Sequence, residues 1–106
     1  MATRHPSSPE AFEIISERIH DAASVMKAMA SDTRLKIMCA LSAGELPVGR
    51  LAEMTGQSSS TVSQHLAKLR AAGLVNSRRD AQQIYYVCAP GVGEALIHTL
   101  CDYFSA

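Results

Sequence analysis

The feature that most restricts this chain is the run LPVGRLAEMTGQSSSTVSQHLAKLRAAGLV, residues 46–75, in which two amphipathic segments meet at Gly56. A helix-turn-helix needs a small residue where its helices cross closely, and a turn residue that accepts positive φ. It also needs an apolar residue early in the second helix to lock the pair. Ala52, Gly56 and Val62 meet these demands, and Leu51, Leu66 and Leu69 complete a shared core. Helical hairpins with glycine turns are common, so the segment that follows decides the fold. Leu74–Val75 and Ile84–Val87 read as strands rich in β-formers, with the polar, turn-like SRRDAQQ between them. A helix-turn-helix followed by a hairpin with arginines at its tip is a winged helix.

The other elements fit around this unit. Residues 1–8 read as a flexible polar start. Ser8 is an N-cap before Pro9, and Phe12, Ile15, Ile19, Ala22, Met26 and Met29 recur at steps of three and four. That seam predicts one long helix over 9–30, which packs into a core or against a copy of itself. A second helix runs from the cap Ser31 to the stop Gly44, and its LKIMCAL centre, apolar nearly all round, predicts the central buried helix. A third helix ends at Gly56, and a fourth runs from the cap Ser58 to about Ala72, before Gly73. The last helix starts at Pro90, with a stripe of Val92, Leu96, Leu100 and Tyr103. The expected fold is mainly α with a hairpin wing: five helices in the order α-α-α-α-β-β-α. Without repeats or an internal boundary, the 106 residues form a single domain, with 46–88 as its helix-turn-helix and wing.

Formal net charge is zero, which by itself argues against non-specific nucleic-acid binding. The average hides an asymmetry. Between Ser58 and Arg79 stand Lys68, Arg70, Arg78 and Arg79 with no acid, whereas Glu10, Glu13, Glu17, Asp21, Asp32 and Glu45 lie early. A neutral chain can still carry one positive face. With Val62, Leu66 and Leu69 inward, helical geometry puts Ser60, Gln64 and Lys68 opposite, flanked by Thr61 and Ser63. Small hydroxyls at a helix start permit close approach to phosphates and base edges, and glutamine can pair with adenine. Ser58, Ser60, Thr61, Ser63, Gln64, Lys68, Arg78 and Arg79 are therefore the expected contacts to double-stranded DNA. An enzyme is not expected: GVGEAL does not follow a strand in a βαβ unit, and neither a nucleophile elbow nor a usefully spaced acid pair is present. A pure interaction module would need only the first helix, leaving the hydroxyl-rich helix and arginine wing unexplained. No segment is apolar enough to span a bilayer, and no signal core opens the sequence. With three sparse cysteines, Cys39, Cys88 and Cys101, the cytoplasm is the expected compartment, with no membrane partner.

SDTRLKIMCAL, STVSQHLAKLRAAGLV and RRDAQQIYY resemble the ArsR/SmtB family of winged-helix repressors, over about residues 24–104. The resemblance implies a homodimer formed by the first and last helices, 9–30 and 90–105, that binds operator DNA and releases it to an inducer. Two recognition helices about one turn of DNA apart imply an inverted repeat. Arsenic- and cadmium-type members carry Cys-x-Cys at the start of the third helix; those positions are Pro47 and Gly49 here. Zinc-type positions on the last helix fall on Pro90, Val92, Tyr103 and Ala106. Neither site is present, and no cofactor is expected. Glu94, His98, Cys101 and Asp102 share one helical face and are an alternative metal set, though an ordinary solvated face is the preferred reading. His5, His20 and His65 show no ligand spacing.

One subgroup, resembling redox, persulfide and polysulfide sensors, has ILC in the second helix and another cysteine near the end of the last. IMC puts Cys39 at the first position; the usual second position falls on Ser105, with Cys101 one turn earlier on the same face. The resemblance thus implies Cys39 and Cys101 as sensing thiols, with reactive sulfur species the favoured inducer, a peroxide-type oxidant second, and Cys88 dispensable. Cys39 also reads as a small hydrophobe in a buried helix. A direct disulfide needs Cα atoms within about 7 Å, whereas a bridge with extra sulfurs spans more. Thiols too far apart for a simple bond would select polysulfide over peroxide.

Overall fold

The computed structural model describes residues 8–105; His5, Ala106 and, apart from Ser8, the expected flexible start lie outside the described residues. Ser8 caps α1 (Pro9–Glu17), its hydroxyl accepting the Ala11 N–H at 3.1 Å. α2 (Ile19–Met29) follows after a single residue, so the expected long helix over 9–30 is two helices and the described residues hold six in all. The break is at Arg18 (φ −114°, ψ 14°), whose N–H turns back to the Ile15 carbonyl at 3.0 Å and whose Nε donates to Asp21 at 3.0 Å. α1 has no buried residue to hold it in line with α2, whose Met29 is seated in the core.

α3 (Asp32–Leu41) is the central helix, packed on α2, α4, α5, α6 and the sheet, with Ile37, Met38 and Leu41 essentially inaccessible. Its Ser31 cap accepts the Arg34 N–H at 3.3 Å. α4 (Val48–Thr55) and α5 (Ser59–Ala71) form the helix-turn-helix around Gly56, whose φ of +70° is the left-handed conformation the turn requires. Leu51, Val62, Leu66 and Leu69 are fully buried between them and α3. The one buried polar side chain there, Thr55, is satisfied by donating to the Leu51 carbonyl at 2.8 Å.

The wing is larger than the sequence suggests. β2 (Val75–Asp80) and β3 (Gln83–Cys88) pair along their whole length, and β1 (Leu46–Pro47) adds to the other edge of β3 through Leu46↔Tyr86 and Pro47↔Tyr85. The described sheet is three-stranded, antiparallel, in the order β1-β3-β2. Arg78 and Arg79 are not at the tip, as SRRDAQQ suggested. They lie within β2, opposite Tyr85 and Ile84, and the turn is made by Ala81 and Gln82. From Arg78 to Asp80 β2 is exposed on both faces, with no buried side to impose apolar alternation, so its polar residues read as a turn. α6 (Val92–Phe104) starts after Gly91, two residues later than expected. It packs closely on the wing root: a Cβ on Gly93 would stand 2.6 Å from Leu74 Cδ2.

Candidate functional site

The start of α5 is built by its own hydroxyls. Ser58 Oγ accepts the Thr61 N–H at 3.0 Å and donates to Thr61 Oγ1 at 3.0 Å, so these two side chains serve the helix end first. Ser60, Ser63, Gln64 and Lys68 are exposed along the face opposite the buried Val62, Leu66 and Leu69. A helix N-terminus with small hydroxyls favours anionic oxygens, so this face suits a phosphate-lined groove.

The two wing arginines differ. Arg79 is exposed on β2. Arg78 is occupied: its Nε donates to both Glu45 oxygens at 3.1 and 2.9 Å, and its Nη2 also bonds Glu45. Asp80 lies 3.7 Å away, and the guanidinium sits 4.8 Å from the centre of the Tyr85 ring. The Arg78 hydrogen bond holds the Glu45 carboxyl below its ordinary range. Arg78 is thus not the free cation the sequence suggested; it pins β2 to the turn after α3. Glu45 carried no motif in the sequence.

Cys39 and Cys101 meet. Their sulfurs are 2.8 Å apart, joining α3 to α6 across 62 residues of sequence. Cys39 is exposed rather than buried among the apolar residues of α3, and Cys101 is half-buried. The hydrogen bond with Cys39 holds the Cys101 thiol above its ordinary range; burial adds to this and the Ser42 hydroxyl opposes it. The Ser42 hydroxyl also donates to the Cys39 carbonyl at 2.6 Å, and Ser105, at the position where a cysteine is usual, bonds the Cys101 carbonyl. Cys88 is buried in β3, points its sulfur at the Met38 carbonyl 3.6 Å away, and is pushed up to about 11 by burial. Contact between the two sulfurs removes the width argument for polysulfide over peroxide, because a simple bond can close here.

A further link was not visible in the sequence. Arg34 Nε donates to Nδ1 of His65 at 3.1 Å, and Arg34 Nη1 donates to the Ala28 carbonyl at 3.1 Å. Burial first, then the charges of Arg34 and Lys68, lower the His65 pKa, which keeps the ring neutral and able to accept. One arginine on α3 thereby ties α2 to the recognition helix. Among the described residues of this single chain no three His, Cys, Asp or Glu side chains are grouped to hold a metal ion, Glu94, His98, Cys101 and Asp102 included. No described helix is long and apolar enough to cross a membrane.

The family described as "Bacterial regulatory protein, arsR family" matches residues 31–77. The nodulation protein NolR of Rhizobium meliloti is 41% identical over 102 residues, covering 96% of this chain and 80% of NolR. The crystal structure of the transcriptional repressor BigR from Xylella fastidiosa superposes with a TM-score of 0.81 at 33% identity, over 90% of this chain and 97% of that one. A homodimeric winged helix-turn-helix DNA-binding domain from Mycobacterium bovis, a possible ArsR-family regulator, gives 0.75 at 28% identity, over 99% and 91%.

Proposed function

The chain belongs to the arsR family of bacterial regulatory proteins, and from that premise we propose that it is a homodimeric repressor that leaves its operator when Cys39 and Cys101 react with a reactive sulfur species or an oxidant. The observation that carries this reading is the 2.8 Å contact between two sulfurs on different helices. A thiolate is the nucleophile in such chemistry, and a second thiol resolves the first adduct. The exposed Cys39 attacks, and the half-buried Cys101 is the resolving thiol. The result is a covalent bridge between α3 and α6, formed as the inducer takes up two electrons. The reaction requires reduced cysteines, consistent with a cytoplasmic protein.

For DNA, Ser60, Ser63, Gln64 and Lys68 enter the major groove, Arg79 meets phosphate, and Ser58 with Thr61 shapes the helix end that approaches it. Two such helices in a dimer read an inverted repeat. Dimerisation is supported by the exposed apolar seam, with Phe12 64%, Ile15 45%, Ile19 57% and Met26 59% exposed, and by Val92 and Tyr103 on α6. Seams of this kind are covered in soluble proteins. The M. bovis relative is homodimeric.

The test is operator release by inorganic polysulfide and by peroxide, using Cys39→Ser, Cys101→Ser and Cys88→Ser proteins. Both inducers release the parent and the Cys88→Ser protein, and neither releases the Cys39→Ser protein. Release of the Cys39→Ser protein at the parent's inducer concentration defeats the thiol-switch reading.

A further inference from the structure

Cys39 and Cys101 both line a cleft between α3 and α6, with a volume of about 430 Å³. Ile97, Leu100 and Phe104 give it an apolar surface, and Lys36 is the one charged side chain of its lining. Such a wall gives hydrogen peroxide little in return for the hydration it loses on entering. It does favour a molecule with an apolar body, and the volume is that of an ordinary small-molecule site. A lysine in the lining adds preference for one negative charge.

We propose that this cleft binds an amphipathic organic hydroperoxide, an apolar body with an anionic head near Lys36, and presents its peroxide to Cys39. The proposal rests on the thiol-switch reading above and adds the class of inducer. The contact between the sulfurs suits a hydroperoxide, whose two-electron reduction to an alcohol and water lets the disulfide close directly. The Cys39 thiolate attacks the outer peroxide oxygen and the O–O bond breaks. The alkoxide leaves, takes a proton and becomes an alcohol, and Cys39 is now a sulfenic acid. The Cys101 sulfur, giving up its proton, attacks the sulfenic sulfur, and hydroxide departs with that proton as water. In sum, two thiols and ROOH give one disulfide, ROH and H₂O, with the peroxide reduced by two electrons.

The experiment measures thiol loss in the full-length Cys88→Ser protein against hydrogen peroxide, the hydroperoxide of linoleic acid at submicellar concentration, and the methyl ester of that hydroperoxide. The acid should react at least about tenfold faster than hydrogen peroxide, a discrimination ordinary for an apolar pocket. The ester should fall between them. Lys36→Met should bring the acid down to the rate of the ester and leave hydrogen peroxide unchanged. Equal rates for acid and hydrogen peroxide, the result expected if a second copy of the chain fills the cleft, overturn the proposal. So does a Lys36→Met protein that slows all three alike. Operator release is read separately. Selective oxidation without release supports the cleft and defeats the switch, whereas unselective oxidation with release supports the switch and overturns the cleft.

Discussion

The ion pair between Glu45 and Arg78 makes a quantitative prediction about DNA binding. Each phosphate contact contributes a slope of about −0.9 to log affinity against log salt. A dimer presents every wing residue twice, so a residue that contacts phosphate contributes about −1.8. In the structure Arg78 is held by the Glu45 carboxylate and flanked by Asp80, while Arg79 is exposed. Arg79→Ala should therefore flatten the slope by about 1.8, whereas Arg78→Ala should leave it near the parent value. Glu45→Gln removes the competing charge and leaves a neutral side chain of the same shape. Arg78 is then available to phosphate, and the slope steepens by about 1.8. Between 50 and 200 mM salt this adds about a twelvefold loss of affinity to that of the parent. The measurement is a fluorescence-anisotropy titration of one operator duplex at several salt concentrations. If Arg78→Ala flattens the parent slope as much as Arg79→Ala does, the ion pair opens on DNA and the reasoning fails.

Gln64→Ala should cost about 1–3 kcal/mol of operator affinity and relax the base preference at one position per half-site, measured against a panel of single-base operator variants. Ile19→Glu places a charge in the exposed apolar seam; in sedimentation it should yield monomers, and operator binding should be lost together with the dimer. The His65 pKa is depressed in the folded chain, so protonation favours the unfolded one. Its contribution to stability is intact above the ordinary value of 6.5 and is lost as pH falls below it; His65→Gln should show a shallower acid-side fall in thermal midpoint than the parent.

What was legible in the sequence follows from which constraints are local. Gly56, the Val62, Leu66 and Leu69 spacing and the Ser58 cap are local, and the structure has each of them as the pattern requires. The break at Arg18 was hidden because interrupting a helix for one residue preserves three- and four-residue apolar steps. β1 was hidden because two residues carry no period, and the outer half of β2 because Arg78–Asp80, open to solvent on both faces, have no apolar side to show. Pairing of Cys39 with Cys101 came from family resemblance; contact between residues 62 apart is tertiary and has no local sign. The same holds for Arg34 with His65 and for Glu45 with Arg78.

A bridge between two thiols affects DNA only if α3 or α6 carries the change to α5 or to the wing, and the packing shows where. Cys39 and Arg34 are five residues apart on α3, about 140° around its axis, so one can face α6 while the other reaches His65 on α5. At its other end α6 packs on Leu74, immediately before β2, through Gly93. A methyl group there meets Leu74 Cδ2 at 2.6 Å, the mobile end of a side chain, with Met38 Cε at 3.4 Å. The helix or the leucine must shift, which displaces α6 from the wing root without touching either thiol or any DNA-facing residue. If α6 carries the signal, Gly93→Ala in its reduced form should bind operator several-fold more weakly than the parent. Its thiols should still react with peroxide at close to the parent rate. Further weakening on oxidation should be smaller than in the parent, because part of the displacement is already present. Coupling between sites in allosteric proteins is typically about 1–3 kcal/mol, a range that operator titration resolves. A folded, dimeric Gly93→Ala protein that binds and releases operator as the parent does would exclude α6 as the carrier, and leave the path through Arg34 and His65.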